Sequence, residues 1–151
     1  MLTKEVRFYV FTKLSLVKVL KELLEKTLMR GQRAVVLASS KDEVESLCSS
    51  LWTVEQKAFL PHGSAVDGKP ERQLVWITHQ LENPNQASVA FIIPGSIIPK
   101  TTAFSLLIIL VDGLNSQEIE NSDANFLDYR SQGLNVKYYL QNESGKWQEK
   151  T

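Results

Sequence analysis

Two hydrophobic rhythms take turns along this chain. Glu5–Phe11 (EVRFYVF) concentrates β-branched and aromatic residues and reads as a first strand. Ser15 is placed to cap a helix whose apolar positions, Leu16, Leu20, Leu23, Leu24, Thr27 and Leu28, recur at helical spacing, with Lys18, Lys21, Glu22 and Glu25 off that stripe. Gly31 stops the helix, because glycine takes the left-handed conformation past a helix end without a Cβ clash. Residues 33–38 (RAVVLA) form a short, nearly continuous apolar run, as expected of an interior parallel strand covered on both faces. Ser40 and Glu43 have capping-box spacing. Val44, Leu47, Cys48 and Leu51 then share one helical face, and Trp52 closes that helix or lies just past it.

After a looser stretch with Pro61, Gly63, Gly68 and Pro70, three further strand candidates follow at residues 73–78, 88–93 and 105–111, separated by loops with Pro84, Pro94, Gly95 and Pro99. Asn115, with Glu118 three residues on, starts a last helix carrying Ile119, Phe126, Leu127 and Arg130, and Gly133 stops it. Residues 136–140 (VKYYL) make a final strand. Strands and helices that alternate with short connections predict an α/β fold, a mostly parallel central sheet joined by right-handed crossovers and flanked by helices. No repeat, low-complexity tract or linker interrupts residues 1–151, so a single domain is expected.

Composition narrows the classes. A chain of 151 residues buries roughly 68–70% of its unfolded surface and needs no disulfide or metal staple. The lone Cys48 cannot form an internal disulfide and, on the apolar stripe of the second helix, reads as a small core residue suited to a reducing cytoplasm. The N-terminus lacks a signal-peptide pattern, and the longest apolar run, 106–111, falls far short of the ~20 residues of a membrane span. Formal net charge is zero, yet its distribution is uneven. Residues 1–33 hold eight Lys/Arg against three Asp/Glu, whereas residues 112–130 hold five acids and only Arg130. A local basic region on a neutral chain points to an acidic protein partner rather than to tight, sequence-independent DNA binding.

Catalytic and cofactor patterns are missing from the sequence. The first strand–helix turn, Thr12-Lys13-Leu14-Ser15, has no glycine, and neither GxGxxG nor GxxxxGK[ST] occurs, so no nucleotide-binding loop is expected. Cys48, His62 and His79 lack the spacing of a metal site. Gly95-Ser96 does not match a nucleophile elbow, and Pro61-His62-Gly63 reads as a turn. Asp112-Gly113 after an apolar strand occupies a position where α/β folds carry function, but an Asp-Gly turn also stands as structure alone. Trp52 and Phe59 flank an irregular segment poor in other apolar residues. They are either aromatic anchors for a partner or plugs of the core beneath the loop.

Leu51-Trp52, a gap of six, then Phe59-Leu60-Pro61-His62, together with Tyr129-Arg130-x-x-Gly133, the Arg7-Phe8-Tyr9 strand, residues 33–37 and Leu110-Val111-Asp112, resemble the chi subunit family of bacterial DNA polymerase III over nearly the whole chain. The resemblance implies a Rossmann-like fold without nucleotide chemistry, with no catalytic residue, cofactor or metal. It implies an accessory, non-catalytic adaptor in DNA replication. That adaptor links the clamp loader, through the psi subunit, to the acidic C-terminal tail of single-stranded DNA-binding protein, and meets DNA only indirectly. It puts Trp52, Phe59, Leu60, Pro61 and His62 at the psi interface. For the tail it suggests Leu114, Phe126, Arg130 and Lys137. Where the family shows arginine and lysine on the last helix, this sequence has Glu118, Glu120 and Asp123, and carboxylates repel an acidic peptide that guanidinium groups would bind. The competing reading is a degenerate helicase-like or nucleotide-binding domain, for which ATP-dependent thermal stabilisation is the discriminator.

Overall fold

The computed structural model describes residues 3–13, 15–53, 74–80, 82–96 and 104–150, apart from the side chains of residues 51–53. Among the described residues the order is β1 (Glu5–Phe11), α1 (Leu16–Met29), β2 (Ala34–Leu37), α2 (Lys41–Thr53), β3 (Val75–Thr78), β4 (Val89–Ile92), β5 (Leu106–Asp112), α3 (Ser116–Ser131), β6 (Asn135–Gln141) and β7 (Trp147–Glu149). The strands form one sheet in the order β3-β2-β4-β5-β1-β6-β7. All neighbours are parallel except β6 and β7. The α/β expectation holds.

Crossover handedness explains the layering. The chain moves one way across the sheet from β1 to β2 to β3 and the opposite way from β5 to β6. Right-handed crossovers then place α1 and α2 on one face and α3 on the other. The core divides accordingly. Tyr9, Val36, Ile77, Phe91, Ile108 and Leu110 pack with α1 and α2, while Phe8, Leu37, Ile92, Leu107, Ile109 and Tyr138 pack with Phe126 and Tyr129 of α3. β2, β3 and β4 are buried throughout, which accounts for their unbroken apolar runs.

Local signals do what their chemistry requires. Ser15 accepts the Lys18 amide, and Asn115 Oδ1 accepts those of Gln117 and Glu118, so both helix starts satisfy free N–H groups. Ser40 Oγ accepts the Glu43 amide, while Glu43 reaches back to Ser39 rather than to Ser40. Gly31 and Gly133 have φ of 76° and 83°, as their helix-stopping role demands.

Three features differ from the sequence reading. Lys21 is only 4% exposed. Its aliphatic stem packs inward while its ammonium lies 3.8 Å from Glu25. On α3 the inward face is Ser122, Phe126 and Tyr129, and Leu127 is 64% exposed; with so few apolar residues on this helix, a phenol and a small hydroxyl complete the stripe. A seventh strand, Trp147–Glu149, returns antiparallel to β6 through a turn in which Asn142 Oδ1 accepts the Ser144 and Lys146 amides and Gly145 adopts φ of 82°. Three residues are too few to register as an alternating pattern.

Candidate partner-binding sites

In a sheet of this kind a nucleotide would sit where neighbouring strands send their helices to opposite faces, here the carboxyl ends of β1 and β5. Those positions are already engaged. Gln141 Oε1 accepts the amides of both Thr12 (2.7 Å) and Lys13 (2.9 Å). The Gly113 amide donates to the Phe11 carbonyl at 2.9 Å. Asp112 Oδ1 accepts the Leu114 amide at 3.0 Å, so the Asp-Gly pair makes a self-contained turn. Among the described residues no three His, Cys, Asp or Glu side chains gather as metal ligands. No described helix is long and apolar enough to cross a membrane.

Of the psi-interface residues expected from the sequence, Trp52 lies in the last turn of α2, which packs against the edge strand β3. Its side chain, and all of Phe59, Leu60, Pro61 and His62, lie outside the described residues.

The four tail candidates are not brought together. Leu114, 81% exposed, sits in the turn after β5. α3 then runs back antiparallel to the strands, so Arg130 stands roughly 20 Å away, toward the amino-terminal ends of the strands. Phe126 lies between them, half-buried, edge-on to Phe8 (centroids 6.2 Å) and to Tyr138 (5.7 Å). Lys137 is on the opposite face: Val136 and Tyr138 join the α3-side cluster, and strand alternation turns the residue between them toward α1.

The α3 side carries a cavity of about 460 Å³ between the β4–β5 ends and the helix, lined in part by Ser96, Glu118, Asn121, Ser122 and Asn125. Its electrostatics are acidic. Burial, then the Asp112 carboxylate, raises the Glu118 pKa. Burial also raises Tyr138, against the hydrogen bond with Ser122 Oγ at 3.0 Å.

A different environment lies on the α1 side, where Arg7, Lys26, Arg30, Tyr9, Tyr139 and Trp147 line a cleft of about 260 Å³. Tyr9 stacks on Tyr139 (4.8 Å) and meets Trp147 edge-on (5.0 Å). Arg7 pairs with Glu5; burial opposes its charge, but Glu5 outweighs this and the guanidinium pKa is raised. Burial raises Tyr9 likewise, with Arg7 and Arg30 pulling the other way. Sequence reasoning noticed the basic excess near the N-terminus but missed this cleft, because Trp147 reaches it through the unforeseen β7. The alternation Arg7–Tyr9 on one strand face was the available signal.

The chain matches the family model described as "DNA polymerase III chi subunit, HolC" over residues 3–137. It is also 31% identical over 137 residues to a protein of Rickettsia prowazekii (strain Madrid E) named "Probable DNA polymerase III subunit chi", an alignment covering 86% of this chain and 82% of that one.

Proposed function

The chain belongs to the DNA polymerase III chi subunit family, and we propose that within this replicative polymerase it is a non-catalytic adaptor, joining the clamp loader through a psi subunit to the acidic C-terminal tail of single-stranded DNA-binding protein in the cytoplasm. The observation that carries the reading is the family match across 3–137, which spans both faces of the sheet. The spent amides of Thr12 and Lys13 at the β1 end, where a nucleotide would be held, favour an adaptor over the nucleotide-binding alternative. Trp52, Phe59, Leu60, Pro61 and His62 dock psi. On the α3 face Leu114, Phe126 and Arg130 are the residues offered to the tail, Lys137 being turned to the opposite face, and DNA is met only through these partners.

Calorimetry with a psi subunit tests the first contact. Large aromatic side chains dominate such interfaces, and truncating one removes about 2 kcal/mol or more of binding. Trp52→Ala and Phe59→Ala therefore abolish or strongly weaken psi binding while the circular dichroism spectrum and cooperative melting persist. Normal binding by either variant places the interface elsewhere.

A further inference from the structure

We propose that the cavity between the carboxyl ends of β4 and β5 and the amino-terminal part of α3 is a binding site for an organic cation, a guanidinium or primary ammonium group carried on a short aliphatic stem. This goes beyond the adaptor reading and does not depend on it, since neither Phe126 nor Arg130 lines the cavity.

A break in the helix pattern marks the place. α3 presents Glu118, Asn121, Ser122 and Asn125 to the β4–β5 ends. They are spaced i, i+3, i+4 and i+7, the stripe that a helix packed on a sheet ordinarily fills with apolar side chains. On the neighbouring stripe Phe126 packs in the ordinary way, against Phe8 and Tyr138. On the β4–β5 side the polar side chains leave a space of about 460 Å³ instead of a packed contact, a volume within the roughly 300–1,000 Å³ of ligand pockets. Sequences depart from local packing rules where a site needs it. The position agrees, because open α/β sheets bind ligands at the carboxyl ends of parallel strands, and β4 and β5 are parallel neighbours.

Chemistry sets the class of ligand. The floor is Ile92, Ile109 and Val111, all buried. On the rim, the Glu118 carboxylate and the Asn125 carboxamide have no hydrogen bond or ion pair among the described residues. A second cleft of about 250 Å³ shares Pro94, Gly95 and Glu118 and adds Asp112, so Glu118 stands at the junction of the two with another carboxylate beyond it. Burial and that neighbour already raise its pKa, and an incoming cation relieves both penalties on the ionised form. Neither cleft has a Lys or Arg in its described lining. An anion would meet carboxylates there, and a neutral apolar ligand would bury Glu118 and Asn125 without partners. A cation on an aliphatic stem suits every part of the lining: the stem lies on the isoleucine–valine floor, and the head donates to the Glu118 carboxylate and the Asn125 side-chain carbonyl.

The test is proton–nitrogen correlation NMR of the unaltered full chain at low salt, titrated separately with N-acetyl-arginine amide, with putrescine and with the neutral N-acetyl-norleucine amide. A cation shifts the backbone amides of Gly95 and Ser96 and the side-chain amide of Asn125, with a Kd of about 1 mM or tighter, and the neutral analogue does not. Both cationic probes support the site and separate its sources: tighter binding of the arginine derivative assigns it to a side chain of a protein partner, tighter binding of putrescine to a free amine. Glu118→Gln weakens binding about fivefold or more while raising the melting temperature at neutral pH, an opposition that a purely structural residue does not produce. Glu120→Gln, the same charge change at an exposed position of α3 outside the cavity lining, leaves binding within about twofold. Equal shifts with the neutral analogue, equal losses in the two variants, or no shift at about 10 mM of either cation each overturn the site.

Discussion

The side-chain carbonyl of Gln141 accepts the backbone N–H of Thr12 at 2.7 Å, joining residues 129 positions apart. Through the same oxygen it holds Lys13, and its amide nitrogen reaches the Gly145 carbonyl at 3.3 Å. One residue thus ties the β1–α1 turn to the terminal hairpin. Gln141→Leu leaves the partly buried Thr12 N–H without its acceptor, while the exposed Lys13 N–H turns to water, and lowers stability by about 1 kcal/mol in urea unfolding. Gln141→Glu keeps an acceptor oxygen and costs less. Equal midpoints for Gln141→Leu and the parent would refute this role.

The same contact bears on nucleotide binding. With the Thr12 and Lys13 amides engaged, magnesium and ATP at millimolar concentration leave the melting temperature unchanged. A clear upward shift would revive the nucleotide-binding alternative.

Gly113 is needed for close approach. A Cβ there would lie 2.5 Å from Thr12 Cγ2 and 2.9 Å from the Phe11 carbonyl oxygen. The second neighbour is strand backbone and cannot swing aside. Gly113→Ala is expected to cost about 1–3 kcal/mol by overpacking, measured as a lowered denaturation midpoint with unchanged slope.

Ser122 and Tyr138 share a buried hydroxyl–hydroxyl contact at 3.0 Å beneath α3. Tyr138→Phe and Ser122→Ala each lose about 1 kcal/mol. The double variant loses less than the sum, because both changes remove one bond. Strict additivity in the double-mutant cycle would show the bond to be energetically silent.

Glu118 lies in the first turn of α3, where the helix N-terminus favours a negative charge, yet burial and Asp112 together raise its pKa above the ordinary 4.5. The folded state therefore binds its proton more tightly than the unfolded state. Its ionisation subtracts stability as pH rises through the folded pKa, and the loss is complete above it. Glu118→Gln should melt higher than the parent at neutral pH, and the gain should disappear well below the ordinary glutamate pKa. A gain that persists unchanged into acid would rule out ionisation as its cause.

Much of the fold was readable from local order. The first strand, the three helices, both capping residues Ser15 and Asn115, and the stops at Gly31 and Gly133 follow from periodicity and from backbone chemistry acting over a few residues. The buried runs of β2 to β4 were equally plain, since strands covered on both faces need no polar alternation. The candidate sites were less legible. Arg130 and Lys137 lie seven positions apart and look like neighbours in sequence, but α3 ends and β6 begins between them, and the alternation of β6 sends Lys137 to the opposite face.

The sequence by itself determined the kinds of element, their order and their class, because each depends on interactions between residues close along the chain. Tertiary structure alone decided the strand order, the inward turn of Lys21, the engagement of the Thr12 amide by Gln141, and the aromatic cleft completed by Trp147. Each of these requires segments far apart in the chain to meet, and such pairing is selected by the free energy of the whole packed sheet rather than by any local pattern.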